Sequence, residues 1–519
     1  MINALLWAPL AFGIVGLFLP KRAAGWWATL GAVVTLGIAA SMVVDFDSGN
    51  SGLQHVVDVA WISGLGVEYS LGIDGLNLFL ILLTAVLWVG GTAFAAFRPQ
   101  ERPQLFFFLM LVAETATLGS FLAQDLLLFV LFFDLMLIPF YFLFGAWGSD
   151  REGGPTAAAA TLKMIVYTLI GSLLMLVAAI AAAIISADGG QLSFSIAALQ
   201  QQGLDVDSQR WLFWFFAAAF LVKMPAFLLH GWMPDAYRAA PLPVLVVFSG
   251  VLAKVGAYGF LRVVLPIFPD ATVEFQEVIL VIALASILYG SVMAFTQTNM
   301  RLIAGYSSVA QLGFITAGIF ALRADGADGA ILQMVNHGLV VAPLFVIVAI
   351  LVERTGTEDI REMGGMALRA PVLAALFLIV ALATLAMPGS ANFIGEFYIL
   401  NGLFQEKIVF AFIAIAGVAM SAYYALRLYQ QTMHNRQPDG VASREIGWRD
   451  GAVLAPLVLC ILALALYPQL ILQRTAPTVQ QTVAAVTGGP APEAQLAAGP
   501  TGRNVVPETT YRPIDREEP

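Results

Sequence analysis

Six ionisable side chains lie deep inside apolar stretches of this sequence: Glu114, Asp134, Lys223, Lys254, His337 and Glu396. Each sits within a run long enough to cross a bilayer, where a charge costs about 2.5–3.5 kcal/mol on insertion scales. One such residue serves a structural ion pair as readily as a function. Six of them in six separate runs describe a polar row along a membrane midplane, and the chemistry open to such a row is proton transfer. Low dielectric disfavours an isolated charge, so neighbouring sites couple and loading one changes the proton affinity of the next. Lysine suits this task because burial can neutralise it, whereas arginine stays charged. The mid-run cations here are lysines, and the arginines gather at run ends.

Other side chains could assist. Lys163, near one end of its run, either belongs to the relay or extends its ammonium to the interface. His230, in HGWMPDA with Asp235 five residues on, either hands protons to Lys223 or caps a helix end. Tyr306, Ser307 and Gln311 bring hydroxyl and amide groups to a single run, where they order water or bind neighbouring helices together. The only cysteine, Cys460, lies in an apolar run, and the four histidines show no metal-ligand spacing. A metal site, a disulfide, a phosphate-binding glycine loop and a nucleic-acid surface are therefore not expected.

The elements that carry these residues must be membrane-spanning helices. Of the 519 residues, 60% are hydrophobic and 11% charged, and the mean hydropathy is +0.84. Soluble proteins hold about 25% charged residues. Runs near the ~20 residues that a bilayer requires fall at 2–20, 24–45, 74–97, 104–122, 124–146, 157–186, 210–236, 240–265, 273–296, 299–323, 327–353, 370–403, 407–431 and 451–472. The sequence thus predicts an all-α polytopic membrane protein of about fourteen helices. Alternating the loops puts Lys21, Arg22, Arg98, Arg102, Arg151, Arg238, Arg354, Arg361, Arg369, Arg436, Arg444 and Arg449 on one side. Loops 46–73 and 187–209, opposite, carry no lysine or arginine. The positive-inside rule then places both termini outside. Segment 46–73 forms either a small external hairpin or a plain connection, and 473–519 reads as a flexible outer tail.

Two runs look interrupted. Pro225 follows Lys223 by two residues, and Pro388-Gly389 precedes Glu396. The run 370–403, about 51 Å long if straight, exceeds a core of about 30 Å and must bend, tilt or break. Two charged, interrupted helices in corresponding positions point to an inverted-repeat transporter, unless both are ordinary proline kinks.

The stretches LGIDGLNLFLILLT, DLLLFVLFFDLMLIPFYFLFGAWG, VKMPAFLLHGWMPDAYRAAP, GVLAKVGAYGFLR, RLIAGYSSVAQLGFI, VNHGLVVAPLFVI and MPGSANFIGEFYIL resemble the antiporter-like subunits of respiratory complex I, and most of all their M-type. The resemblance runs over about residues 1–470. It implies two inverted five-helix repeats, 104–265 and 273–431, each with a broken helix. Helices 1–3 with an external loop (1–103) precede them, and a cytoplasmic loop with helix fourteen (432–472) follows. It implies a proton channel on Asp134, Lys223, Lys254, His337 and Glu396, in the inner membrane of a bacterium, beside other membrane-arm subunits and lipid. The channel is driven by NADH-to-quinone electron transfer in partner subunits, which would hold the NADH, FMN, iron–sulfur and quinone sites. Two positions depart from the pattern: Asp134 stands where glutamate is usual, and Gln311 where histidine is frequent. A cation/proton (Na⁺/H⁺) antiporter subunit and a membrane-bound hydrogenase-type pump are the alternative readings.

Overall fold

The computed structural model describes residues 1–150, 154–436 and 444–488. The first part comprises α1 (Ile2–Leu17), α2 (Lys21–Asp45), β1 (Gln54–Ile62), β2 (Val67–Ile73), α3 (Leu78–Ala96), α4 (Pro103–Leu122), α5 (Leu126–Trp147), α6 (Ala157–Ala187) and α7 (Ile196–Gln202). Then come α8 (Val206–Lys223), α9 (Met233–Ala239), α10 (Leu242–Ile267), α11 (Pro269–Glu274), α12 (Gln276–Thr296) and α13 (Met300–Ile319). The chain ends with α14 (Ala324–Thr355), α15 (Pro371–Thr384), α16 (Ala391–Glu406), α17 (Ile408–Met433), α18 (Trp448–Leu466) and α19 (Gln469–Thr487).

Eleven of these helices are long and apolar enough to cross a membrane. The other three expected runs fall on the sixteen-residue α1 and on the broken pairs α8/α9 and α15/α16. Length and composition alone do not count these as crossings. The innermost helices are sheathed by the rest: in α10 and α13 the apolar window is entirely buried, whereas in α17 and α18 only a third of it is. Lipid-like apolar surface belongs on the outer ring, and the polar residues concentrate on the inner helices.

The 46–73 segment does fold as a hairpin, with β1 and β2 antiparallel and Asp58 opposite Ser70. Asp125 ties it to the bundle. Its Oδ2 accepts from the Glu68 N–H at 3.0 Å, while its Oδ1 caps α5 at the N–H groups of Leu127 and Leu128. A second tie is a correction to the sequence reading. Residues 473–487, expected in a flexible tail, belong to α19; residues 489–519 and Arg151 lie outside the described residues. The buried residues Ile471, Leu472, Thr475, Thr478, Val479, Val483 and Val486 follow helical spacing, but glutamine and threonine between them dilute the apolar signal. Thr475 donates to buried Asp328 at 3.1 Å, and Thr478 accepts from the Gly75 N–H at 3.2 Å.

Beneath α19, Arg262 of α10 pairs with Asp74 at 2.5 Å, and Arg262 Nε donates to the Tyr258 hydroxyl. Removing one partner of a buried pair costs about 3–5 kcal/mol, because the other charge stays buried alone. Asp74→Ala should therefore shorten the thermal half-life of the purified assembly several-fold, read as loss of intact complex on heating. An unchanged half-life would show that the pair is not holding α3 to α10.

Candidate functional site

The site begins where helices stop. After Lys223, Pro225 removes a backbone donor and Leu228 adopts a left-handed φ of 72°, so α8 ends and α9 restarts at Met233. The freed backbone is satisfied locally. Phe227 N–H donates to Ser286 of α12 at 2.9 Å, and Trp232 Nε1 donates to the Val222 carbonyl at 3.0 Å. The break between α15 and α16 follows the same logic. Ala386 (φ 54°) and Gly389 (φ 93°) turn the chain, and Ser421 of α17 donates to the Leu385 carbonyl at 3.3 Å. In each break a serine from a neighbouring helix meets non-helical backbone, as a membrane interior demands.

α5 carries a third, smaller interruption that the sequence reading did not expect. Its regular turns lapse at Met136, two residues after Asp134, because Pro139 cannot donate to the carbonyl of Leu135. α10 widens into π-helical turns at Phe248–Leu252 and Phe260–Val264, on either side of Lys254. Such bulges free carbonyls for side chains, and Lys254 Nζ donates to one of them, Ser249 O, at 3.0 Å.

Lys223, Lys254, His337 and Glu396 are each no more than 4% exposed, and Glu114 is fully buried. Lys223 Nζ donates to the Phe133 carbonyl at 3.1 Å and lies 4.1 Å above the Phe133 ring. Asp134 is its electrostatic neighbour, with Ser172 close by, but among the described residues the two charges make no ion pair within 4 Å. Asp134 is also less enclosed than the row predicts. It borders an apolar groove of about 860 Å³ between α5 and α6, lined among others by Leu131, Ile138, Tyr141 and Ile165.

Lys254 and His337 are electrostatic neighbours, and glycine explains how. A Cβ on Gly338 would stand 2.8 Å from the Gly250 carbonyl oxygen, so these two residues let the backbones of α10 and α14 touch beside His337. Glu396 is held by an amide chain: Gln311 Nε2 donates to Glu396 Oε1 at 2.7 Å, and Gln333 Nε2 donates to Gln311 Oε1 at 2.6 Å. Tyr424 stands within electrostatic reach of the same carboxylate. Gly395 makes room, since a Cβ there would meet Gln333 Oε1 at 2.3 Å.

The assisting residues divide. Lys163 pairs with Asp235 at 2.8 Å at the start of α9. The His230 ring lies 4.8 Å from Tyr289 and 6.3 Å from Tyr306. Ser307 Oγ donates to its own helix at Ala304 O and borders a small cavity that Thr384 and Tyr424 also line. Glu114 stands apart, with neither carboxylate oxygen hydrogen-bonded. The sequence reading missed Gln333 and Tyr424. Gln333 was findable, because it lies four residues before His337 and so on the same helical face.

Several buried polar atoms along this path have no partner among the described residues: Glu396 Oε2, His337 Nδ1, Asn336 Oδ1 and Gln333 Oε1. Buried polar groups are ordinarily paired, by water where protein is lacking, so this line of orphans marks where water belongs. Among the described residues no group of His, Cys, Asp and Glu is arranged to hold a metal ion.

Residues 123–421 match the family described as NADH:quinone oxidoreductase/Mrp antiporter, transmembrane. The chain is 37% identical to NADH-quinone oxidoreductase subunit M of Rhodobacter capsulatus, over 89% of this chain and 91% of that one. It is 34% identical to the subunit M of Mycobacterium tuberculosis H37Rv, over 93% and 94%. Its fold superposes on a chain of respiratory complex I from Thermus thermophilus with a TM-score of 0.86 at 30% identity, covering 94% of this chain and all of that one. A chain of the Mrp complex from Dietzia shares the fold alone, with a TM-score of 0.81 at 20% identity. Taken with the broken helices and the buried lysines, these likenesses show that the chain belongs to the NADH:quinone oxidoreductase/Mrp antiporter family of transmembrane proteins and, within it, to the subunit M group.

Proposed function

We propose that this chain is a proton-translocating membrane subunit of an NADH-quinone oxidoreductase. Electron transfer from NADH to quinone in partner subunits drives protons across it. The observation that carries the reading is the buried lysine–lysine–histidine–glutamate series spread over α8, α10, α14 and α16, with unpaired polar atoms alongside. NADH, FMN, iron–sulfur clusters and quinone belong to the partners. The two repeats, 104–265 and 273–431, each supply one half of the path, and both termini lie on the outer side.

In this reading a proton enters near the Lys163–Asp235 pair and His230 and loads Lys223. It passes through water to Lys254 and His337. The Gln333–Gln311 amides order the water that delivers it to Glu396, from which it leaves outward. Asp134 acts as the switch. With its carboxylate near, Lys223 holds its proton; with the carboxylate drawn away, the lysine releases it. The groove beside Asp134 faces a neighbouring membrane-arm subunit, whose movement would set that distance. Asp134, one methylene shorter than glutamate, works here through electrostatics and water, without direct contact.

Gentle purification through a tag on this chain tests the assignment. The expected companions oxidise NADH with a quinone, and the assembly acidifies the lumen of sealed vesicles on adding NADH. Recovery of small membrane subunits alone, with Na⁺/H⁺ exchange and no NADH oxidation, would replace this reading with that of an antiporter.

A further inference from the structure

Two openings lie side by side at the basic ends of the helices. One, about 490 Å³, sets Arg98, Arg354, Arg444 and Arg449 against Glu353, Glu445 and Asp450, so three carboxylates offset all but one of its four cations. Its neighbour, about 420 Å³, is lined by Lys21, Arg22, Arg98 and Arg102 and by no carboxylate; Glu101, next in sequence to Arg102, does not line it. Arg98 is engaged by Glu353 at 2.5 Å and Asp450 at 3.0 Å. Lys21, Arg22 and Arg102 are exposed and make no ion pair among the described residues.

Backbone adds to this charge. α2 and α4 both begin at the opening, with no acidic residue in either first turn and no side-chain cap. Cations therefore crowd the positive ends of two helix dipoles, an arrangement unfavourable alone and complementary to an anion. Arg102 adopts φ 46°, a left-handed conformation uncommon for a residue with a side chain. The surface leading away from the opening is apolar. Trp26, Leu30 and Val33, all more than 45% exposed, sit one helical turn apart on α2 and form a stripe descending into the membrane. Trp26 packs edge-on against Phe97, and Phe97 against Trp448, giving the aromatic level typical of a membrane interface.

We propose that this opening seats the headgroup phosphate of an anionic phospholipid, its acyl chains lying along the Trp26–Leu30–Val33 stripe. The two helix N-termini and three uncommitted cations fit a phosphodiester. The stripe directly below distinguishes a lipid from a free anion, which would have no use for it. The site is independent of the proton path and of any reading of it.

The test uses the whole complex in nanodiscs containing a photoreactive phosphatidylglycerol. Adducts should map to peptides spanning residues 21–25 and 102–107. Labelling should weaken about fivefold for each cation removed in Lys21→Ala, Arg22→Ala and Arg102→Ala, singly and combined, and survive Arg102→Lys. Co-purification of partner subunits with each variant shows that assembly is intact, and the singly substituted Arg22→Gln serves if the combination assembles poorly. Equal labelling by a phosphatidylcholine probe would overturn the proposal. So would displacement by inorganic phosphate, unchanged labelling in the triple variant, or labelling only of the chain stripped of its partners, which would mean that a protein covers the site.

Discussion

Lys223→Ala should leave an assembled complex in which NADH-driven proton movement falls by about a hundredfold, the scale of losing a positioned proton donor. Lys223 Nζ has a carbonyl, Phe133 O at 3.1 Å, as its direct hydrogen-bond partner and the Phe133 ring beneath it. Neither fixes the proton in place as a close carboxylate would, so the ammonium can let its proton go. Alanine removes both the carrier and three carbons of packing, so two further variants separate the effects. Lys223→Met fills the space without titrating and should fail equally. Lys223→Arg keeps the positive charge but cannot be neutralised in a protein, and it too should fail. Vesicle acidification per NADH oxidised reads all three. If arginine restored pumping, Lys223 would be a fixed charge that positions other groups, and the relay through it would be wrong.

The parts of this architecture that could be read from residue types are those that the bilayer dictates. An apolar run near the thickness of the membrane must be helical, because no water is present to satisfy its backbone, and Pro225 and Pro388 mark the interruptions because proline lacks the donor. The charged members of the row stood out for the same reason: in an apolar run a lysine or glutamate has no bland explanation at the surface. What was not legible depends on which helix faces which. Gln333 and Tyr424 look ordinary until α14, α16 and α17 are brought together around Glu396. The lapse at Met136 was missed because Pro139 was read as part of a continuous run. α19 was missed because a helix that lies on protein, with one face wet, needs only every third or fourth residue to be apolar. Asp134 shows the limit on the other side. Its type and position were apparent, but whether it faces Lys223 or the α5–α6 groove is a matter of side-chain direction, and the structure gives it both.

Glu396→Gln should block the second half of the path while leaving the fold in place. The amide is nearly isosteric with the carboxylate, and its oxygen can still accept from Gln311 Nε2, now at 2.7 Å from Glu396 Oε1. What is lost is the ability to take a proton on Oε2, the oxygen that has no protein partner among the described residues and so is left to accept one. Protons per NADH should fall about as far as in Lys223→Ala, with the complex equally abundant in the membrane. Gln311 supplies the control. Gln311→Leu removes the hydrogen bond and leaves Gln333 Nε2 and Glu396 Oε1 unpaired, so it should lower pumping several-fold and also reduce thermal stability by about 1–3 kcal/mol. Gln311→His puts a ring nitrogen where the amide stood and should retain most pumping, because the position needs a donor to Glu396 and tolerates one that titrates. Full pumping in Glu396→Gln would mean that the outward step uses another group. The lone Glu114 on α4, buried and unpaired, would be the first to replace, because no other carboxylate within the described helices combines complete burial with two free oxygens.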